Sequence, residues 1–511
     1  MIDGFFSLAV NGLLNAVTPY HLLVCAVGIA IGIIVGVLPG ISSTTATALL
    51  IPMTFAMEPA TGLVLLGAIW TAAIYGGSGA TCLLNIPGTP SSIATSFDGY
   101  PMTRKGEGER AMTIALLASV FGGLFGVLVL LFAFAPLARL SVKIGAPEYF
   151  WLCIFGLSTI ASLSKGNALK GLLGACIGLM IGTIGLDPII GIPRFTFGIP
   201  AMIEGIQLVP ALIGIFAVGQ VLHLTQQGSG VIAEYRRTPR LFSTVLGSLA
   251  RSAKVNLLRS SIIGTLIGML PGAGGPVASL ISYNEAKRWD RNPGRFGTGA
   301  SDGIVASEAA NNAVIGSSLV PMMGLGIPGC PTAAIVLGGL LIHGIIPGSR
   351  MLTDAADVAY TFIMSLVVAN ILLLFIGFLM LRVTANLLRV PTRWIIPMVL
   401  VMATIGTYSL HNSMVDVYVM IVCGVGAYLL TRVGVGTGPM ALGLVLGPFI
   451  EDALNISLQF AQARGSYFEV FFMRPMSLVF ISLTLLALLM PIYQARSWKK
   501  KQIAGGEQNE G

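Results

Sequence analysis

Charged side chains are scarce in this 511-residue chain. Only 10% of the residues are Asp, Glu, Lys or Arg, and 55% are hydrophobic. Soluble proteins carry about 25% charged residues, which help to cover their surface with polar groups. The shortage excludes a soluble globular protein of this size and predicts a membrane protein.

Cysteine and histidine are also few, and their positions exclude several kinds of site. The six cysteines stand singly in apolar sequence without a C-x-x-C pair, so neither a disulfide framework nor a metal cluster is indicated. The four histidines have no spacing typical of catalysis. The dipeptide Gly-Lys never occurs, which excludes a P-loop ATPase. No motif pairs a nucleophile with a base, so we expect neither enzyme activity nor a bound cofactor.

Long apolar segments fill most of the chain. Four of them cover residues 111–136, 171–186, 358–381 and 475–491. The length of each lies near the ~20 residues with which a helix crosses a bilayer. The 64 glycines suit helices that pack closely through small residues. We predict an all-α polytopic membrane protein with about 12 transmembrane or re-entrant segments.

Two Pro-Gly motifs interrupt the apolar sequence, and both occur twice. The first half contains G-V-L-P-G at 36–40 and L-N-I-P-G-T-P at 84–90. The second half contains G-M-L-P-G at 268–272 and L-G-I-P-G-C-P at 325–331. The copies are offset by 232 and 241 residues, and we call positions related by these offsets equivalent. Pro-Gly ends a helix, so each half should hold a pair of broken helices, as in the binding sites of secondary transporters.

The Lys and Arg content of the loops predicts that the two halves have opposite orientations. Residues 54–62 contain no Lys or Arg, whereas the equivalent loop at 284–299 is rich in both. Residues 98–110 contain three, whereas 344–357 contain one. Under the positive-inside rule, equivalent loops then lie on opposite sides of the membrane. We predict two inverted repeats whose broken helices form hairpins that meet near the membrane midplane.

The repeats divide the chain into three parts. The first repeat, 1–227, has an interfacial helix, broken helices over 22–97 and spanning helices over 111–223. The second, 228–495, has an interfacial helix at 238–257, broken helices over 259–346 and spanning helices over 357–495. Residues 496–511 form a disordered basic and polar tail. Strict inversion puts the C-terminus outside, whereas Lys499–Lys501 favour the inside, so its side stays open.

Polar residues that follow the breaks predict an anion site. Helices that restart after Gly-rich turns present free N–H groups, which bind carboxylates, and neighbouring hydroxyls add donors. The alternative for each break is a packing kink whose hydroxyls bond to the helix backbone. The candidate substrate-binding residues are Gly40, Ser42, Ser43, Thr44, Gly88, Thr89, Ser91, Gly272, Gly274, Gly275, Gly329 and Thr332.

A second set of residues predicts a cation site. Carbonyl groups at the ends of the interrupted helices and nearby Asn side chains suit Na⁺. Glu308, in E-A-A-N-N-A, binds a coupling cation or carries a proton, or it only caps backbone near the membrane edge; both interpretations stay open. The candidate cation-binding residues are Pro39, Asn85, Pro271, Glu308, Asn311 and Asn312.

Several motifs in fixed order resemble those of one family. They are Y-G-G-S, L-L-N-I-P-G-T-P and D-G-Y-P in the first half, and L-P-G-A-G-G, R-F-G-T-G-A, E-A-A-N-N-A, L-G-I-P-G and I-H-G-I-I-P-G in the second. The chain resembles the large membrane subunit of tripartite tricarboxylate transporters. The family's binding motifs fall here on Pro39, Gly40, Asn85, Pro87, Gly88, Pro271, Gly272, Asn311, Asn312, Pro328 and Gly329.

The resemblance implies a multi-pass carboxylate importer of the bacterial inner membrane. A Na⁺ or H⁺ gradient drives such proteins, and a small four-helix membrane subunit and a periplasmic solute-binding protein assist them. The substrate is a tricarboxylate such as citrate, or a related dicarboxylate or aromatic acid. Ile41-Ser42-Ser43 and Cys330 depart from the family pattern and leave that choice open. The alternative is a gradient-independent organic-anion channel, although no continuous polar stripe is visible.

Overall fold

The computed structural model describes residues 2–38, 41–85, 88–163, 168–187, 191–224, 245–247, 253–272, 274–387 and 392–489. These residues are almost entirely helical, which confirms the predicted helical class. One small departure was not predicted: Gly185–Leu186 pairs in antiparallel fashion with Pro193–Arg194. Gly185 has a φ of 129°, a value that favours glycine and helps the chain leave its helix there.

The first half contains ten helices among its described residues. Single turns of 3₁₀-helix precede α5 at Pro90–Ser92 and α9 at Pro200–Met202, and a π-helical turn, Gly214–Val218, joins α9 to α10. The helices are α1 Ile2–Ala16, α2 Pro19–Val37, α3 Ser43–Thr54, α4 Pro59–Leu84, α5 Ile93–Arg104, α6 Gly108–Ser141, α7 Ala146–Leu163, α8 Ala168–Gly182, α9 Leu208–Ile213 and α10 Gly219–Leu224.

The second half repeats the order of short and long helices around its breaks. A 3₁₀ turn at Pro293–Arg295 precedes α13. The helices are α11 Lys254–Gly268, α12 Gly274–Trp289, α13 Ser301–Leu325, α14 Pro331–Ile342, α15 Ser349–Asp354, α16 Ala356–Leu387, α17 Thr392–His411, α18 Met414–Arg432, α19 Thr437–Arg464, α20 Tyr467–Phe472 and α21 Pro475–Leu489.

Six helices of the described chain are long and apolar enough to cross a membrane, and six shorter ones of 10–17 residues are also apolar. The total of about 12 membrane segments stays a prediction. Most of the interfacial helix expected at 238–257, the repeat boundary at 227 and the tail at 496–511 lie outside the described residues. The six long segments are Pro19–Val37, Pro59–Leu84, Gly108–Ser141, Ala356–Leu381, Met414–Arg432 and Thr437–Arg464.

The chain folds into two compact units. The larger comprises the described residues within 1–142 and 207–429, and it contains every broken helix. The smaller comprises those within 143–206 and 430–511. In the smaller unit, α8 and α19 approach so closely that a Cβ atom at Gly178 would lie 2.0 Å from the carbonyl oxygen of Met440. Ion pairs Arg194–Glu451 (2.6 Å) and Arg474–Glu148 (2.8 Å) add to its stability.

Glycines pack the first helix of each broken pair against the long helix that follows. In the first half, a Cβ atom at Gly36 would lie 2.3 Å from the carbonyl oxygen of Ala73. In the second half, a Cβ atom at Gly264 would lie 2.2 Å from that of Ala310. Gly32 and Gly268 make the corresponding contacts with α4 and α13. Glycine allows two backbones to approach this closely, which explains its recurrence at these positions.

The two halves interleave within the larger unit. Helix α6 of the first half packs on α13 of the second, where a Cβ atom at Gly122 would lie 2.1 Å from the carbonyl oxygen of Ala309. Helix α16 of the second half packs on α4 of the first, where Leu366 lies against Gly67. Each long central helix is therefore covered by a helix of the other half, which places the breaks of both halves in one core.

Candidate functional site

The first break begins where α2 ends at Val37. Pro39 and Gly40, two of the predicted site residues, lie outside the described residues. The chain restarts at α3, where the Ser42 hydroxyl accepts a hydrogen bond from the N–H of Thr45 (3.1 Å). This is an N-cap, which satisfies one of the free donors of a new helix. Ser43 is buried in the first turn, and its carbonyl accepts from Thr47 Oγ1 (2.8 Å).

The two central helices end in the same way. Helix α4 ends at Asn85 with a φ of 57°, and α13 ends at the equivalent Gly326 with a φ of 75°. Asn and Gly are the residues that tolerate this left-handed end best. Asn85 is exposed, whereas Asn311 and Asn312 are buried, and its left-handed backbone ends α4. Neighbouring Pro87 lies outside the described residues.

The two breaks of the second half touch each other. The N–H of Gly272 donates to the carbonyl of Gly329 (2.8 Å), and Pro271 beside it is buried. Gly274 has a φ of 60°, which glycine adopts readily, and it faces Cys330. The Cys330 thiol accepts from the N–H of Ala333 and caps α14 (3.4 Å). A sulfur atom thus caps the helix at the N-cap position, where Ser, Thr, Asp or Asn is usual.

Gly88 and Gly329 are the glycines of the two I-P-G breaks, and they occupy equivalent positions. A Cβ atom at Gly88 would lie 2.6 Å from the Cα of Gly77 and 3.0 Å from the carbonyl oxygen of Gly36. A Cβ atom at Gly329 would lie 2.8 Å from the Cα of Ser318 and 2.4 Å from the carbonyl oxygen of Gly268. The contacts are equivalent in the two halves. Both glycines therefore have a packing role whatever else they bind.

Three predicted site residues from both halves meet at one junction, which we call the amide junction: Ser91, Gly275 and Asn311. A Cβ atom at Gly275 would lie 2.4 Å from Asn311 Oδ1 and 2.5 Å from Ser91 Oγ. Asn311 is fully buried, yet neither atom of its amide has a hydrogen-bond partner among the described residues. Such a group costs about 1–3 kcal/mol unless a ligand or water satisfies it. Thr89 is buried two residues before Ser91.

A second junction, the hydroxyl junction, joins the other two breaks. Thr44 Oγ1 and Thr332 Oγ1 lie 2.9 Å apart, although 288 residues separate them. Next to Thr44, the Thr45 hydroxyl donates to the carbonyl of Phe216 in the π-helical turn (3.0 Å). π-helical turns within α-helices are frequent at functional sites. The breaks therefore pair across the halves, first with fourth and second with third.

Glu308 lies at the centre of a buried polar cluster on α13. It is fully buried, and Thr95 Oγ1 donates to its Oε1 while Ser119 Oγ donates to its Oε2 (3.1 Å). Asn312 Nδ2 donates to Ser119 Oγ (2.9 Å) and to the carbonyl of Glu308 (3.0 Å). Asn312 Oδ1 has no partner in the described part of the chain. No ion pair found among the described residues includes Glu308.

The structure shows how Glu308 is enclosed, and both interpretations of its role stay predictions. Its carboxylate is enclosed by α5, α6 and α13, and it accepts hydrogen bonds from the hydroxyl groups of Thr95 and Ser119. The three residues of E-A-A-N-N-A also separate into two groups. Glu308 and Asn312 share the cluster, whereas Asn311 belongs to the amide junction. Sequence reasoning missed Thr95 and Ser119, since lone hydroxyls in apolar helices usually bond to their own backbone.

Interrupted helices that bring polar groups together inside a membrane protein are typical of secondary transporters. Comparison with known families agrees: the family described as "Tripartite tricarboxylate transporter TctA family" matches residues 22–442. The chain belongs to this family, which confirms the resemblance of its motifs. It is a multi-pass membrane component of a tripartite tricarboxylate transporter, and the family is one of transporter subunits rather than enzymes.

Two curated relatives come from Agrobacterium vitis. The "Uncharacterized 52.8 kDa protein in TAR-I ttuC' 3'region" is 36% identical over 457 residues, which cover 89% of this chain and 91% of that protein. The "Uncharacterized protein in TAR-II ttuC' 3'region" is 33% identical over 240 residues, which cover 47% of this chain and 98% of that protein.

Proposed function

We propose that this protein imports carboxylates across the bacterial inner membrane, driven by a Na⁺ or H⁺ gradient. It works with a small four-helix membrane subunit and a periplasmic solute-binding protein that delivers the substrate. The substrate class is tricarboxylates such as citrate, or related dicarboxylates and aromatic acids. Family membership supports the transport of carboxylates, and the two sites below support a coupled mechanism.

The amide junction is the observation that carries the proposal. Its Gly275 lies in the first turn of α12, a 16-residue helix whose N-terminal end carries partial positive charge. The unpartnered Asn311 amide and the Ser91 hydroxyl face the same point. The Ser91 hydroxyl and the Nδ2 group of the Asn311 amide can donate to a carboxylate, and they come from different halves of the chain. A carboxylate bound there would satisfy the buried amide, which has no partner in the described protein.

The Glu308 cluster supplies the coupling ion's site. A buried carboxylate without a cationic partner is unfavourable unless it takes up a proton, binds a cation or accepts enough hydrogen bonds to offset its burial. Hydroxyl oxygens and the free Asn312 Oδ1 are ligands that suit Na⁺. Glu308 lies three residues before Asn311 on α13, so the two sites share one helix. A shift of α13 that follows ion binding would then change the amide junction.

The inverted repeat remains part of the proposal. Equivalent glycines with equivalent contacts support a structural repeat, and opposite Lys and Arg content in equivalent loops supports inversion. In that arrangement both junctions lie near the membrane midplane. Each junction joins one break of the first half to one break of the second half. Alternating access would proceed around them.

Uptake of labelled citrate, a dicarboxylate and an aromatic acid tests the function in cells that contain the partner subunits. We expect accumulation of at least one of them to collapse when ionophores dissipate the Na⁺ and H⁺ gradients while ATP is maintained. Glu308→Gln keeps the side chain's size but removes its charge, and it should lower accumulation roughly tenfold or more. Glu107→Gln, which alters an exposed ion pair with Arg110, is the control and should transport normally.

Three outcomes would contradict the proposal in different ways. Accumulation that survives loss of both gradients would require another energy source. Gradient-independent equilibration of citrate by purified protein in liposomes would indicate the organic-anion channel. Normal accumulation by Glu308→Gln would remove the coupling site and leave only the carboxylate site.

A further inference from the structure

A second buried carboxylate, Asp98, joins the two halves of the larger unit. Its Oδ1 accepts hydrogen bonds from the backbone N–H groups of Gly297 (2.9 Å), Gly299 (2.9 Å) and Ala300 (2.7 Å). Its Oδ2 accepts from the hydroxyl of Tyr283 (2.9 Å). Asp98 is fully buried, and no ion pair found in the described chain includes it. Four neutral donors therefore stabilise this charge.

The loop before α13 is shaped to receive this carboxylate. Gly297 and Gly299 have φ values of 88° and 104°, which allow successive N–H groups to converge on one oxygen. A Cβ atom at Gly303 would lie 2.1 Å from Asp98 Oδ2, so this position requires glycine. The N-terminal end of α13 adds its partial positive charge. A carboxylate from about 200 residues earlier thus caps the helix that carries Glu308.

Asp98 also lies on the helix that supplies a donor to Glu308. Thr95 precedes it by three residues on α5, and Thr95 Oγ1 contacts both Glu308 and Ser307 Oγ (2.8 Å). Helices α5 and α13 are therefore joined at two points. Two points restrict the sliding and the rotation of the two helices more than a single point can. The Asp98 contact thus limits where the Thr95 hydroxyl can lie relative to Glu308.

We infer that Asp98 is a positioning residue for the Glu308 site, which it holds in register through the N-terminal loop of α13. The inference rests on the proposed coupling role of Glu308, but its structural part does not require transport. Tyr283 is the second member of this contact, and Phe97 and Phe296 hold its ring at centroid distances of 5.2 and 5.5 Å.

Cysteine crosslinking measures the register directly. In a background without native cysteines, Thr95→Cys and Ser307→Cys place two thiols where hydroxyls now lie 2.8 Å apart. Oxidation followed by maleimide–polyethylene glycol labelling should show efficient disulfide formation. Adding Asp98→Ala should lower the yield severalfold, and Asp98→Asn, which keeps an acceptor for the three N–H groups, should restore most of it. Tyr283→Phe should have an intermediate effect, because it removes one of four donors.

Ion dependence provides the functional readout, in chains that retain Thr95 and Ser307. Asp98→Ala should raise the Na⁺ concentration or the proton activity for half-maximal citrate uptake on the order of tenfold. The citrate concentration for half-maximal uptake should change much less. Asp416→Asn, which alters another buried carboxylate, bonded to His411 (2.7 Å), is the control for a general loss of folding. It should lower protein abundance without changing the ion dependence.

The outcomes separate this inference from the proposed function. Undiminished crosslinking in both Asp98→Ala and Tyr283→Phe would overturn the positioning role, whatever the protein transports. If Asp98→Ala does not accumulate in the membrane, Tyr283→Phe decides the result. Reduced crosslinking with unchanged ion dependence would also overturn the inference, because the register would then not matter to the Glu308 site.

Discussion

Helices α4 and α13 have the same backbone design but different chemistry. They contain 26 and 25 residues, end in the same left-handed conformation and contact equivalent glycines. The position equivalent to Glu308 is Gly67, and a Cβ atom there would meet the side chains of Leu366 and Phe362 at 2.8 and 2.9 Å. Hydroxyl groups and an amide thus surround Glu308, whereas apolar side chains surround Gly67.

This difference shows that the repeat preserves the packing of the helices but not the polar groups between them. Close helix packing needs glycine at fixed positions in both halves, so those positions match. A buried carboxylate needs partners from neighbouring helices, and only α13 has them, from Thr95 and Ser119 of the first half. We therefore expect one coupling site in each chain rather than two.

The largest effect is expected from a test of orientation, because labelling is all or none. Single cysteines replace Phe55 and Arg291, exposed residues of the loops that follow the two L-P-G breaks. Under inversion, a membrane-impermeant thiol reagent reaches Phe55→Cys only from outside and Arg291→Cys only from inside. Labelling is measured in intact cells and in inverted vesicles.

A second pair of positions checks the result. Arg104→Cys and Arg350→Cys follow the I-P-G breaks, and they should be labelled from the inside and the outside respectively. Labelling of both Phe55→Cys and Arg291→Cys from one side would show a parallel repeat and would end the proposal of inverted halves.

A large effect on protein abundance is expected from Gly88→Val and Gly329→Val. Each introduces a Cβ atom within 2.4–2.6 Å of backbone atoms that cannot move independently. Such overpacking should destabilise the fold by about 3 kcal/mol or more. The contacts match, so the two variants should lose similar amounts of protein from the membrane, as measured by immunoblotting and thermal unfolding.

Gly426→Val is the matched control for these substitutions. Gly426 lies inside α18, and a Cβ atom there would meet nothing within 4 Å. Its abundance should stay close to that of the unsubstituted protein. If Gly88→Val accumulated normally while Gly329→Val did not, the two halves would differ at the point where their packing is most alike.

The sequence predicted the repeated features well and the pairings between halves poorly. Pro-Gly breaks and spaced glycines have local causes, so the interrupted helices followed from the sequence. The meeting of Thr44 with Thr332, or of Asp98 with the loop at 297–300, depends on helices hundreds of residues apart. No local pattern encodes such contacts. Asn85 illustrates the limit, because one residue type serves both an ion site and a left-handed helix end.

The smallest effect on stability, with a full effect on transport, is expected from Asn311→Leu. The Asn311 amide has no hydrogen-bond partner in the described structure, whereas the adjacent Asn312 donates to Ser119 and to the carbonyl of Glu308. Replacing an unsatisfied buried amide by an apolar group of similar size should leave stability unchanged or raise it by about 1 kcal/mol. Citrate uptake should nevertheless be lost, because the amide junction loses its donor.

Asn312→Leu provides the contrast within the same helical turn. It breaks two hydrogen bonds and leaves the Ser119 hydroxyl and the backbone carbonyl of Glu308 with fewer partners, so it should destabilise the protein by about 1–3 kcal/mol. Thermal unfolding in detergent, with and without citrate, measures both variants. Citrate should stabilise the unsubstituted protein but not Asn311→Leu. An Asn311→Leu protein that unfolds at a much lower temperature would mean that the amide already has a partner in the ligand-free protein, and the amide junction would then be a structural contact rather than a binding site.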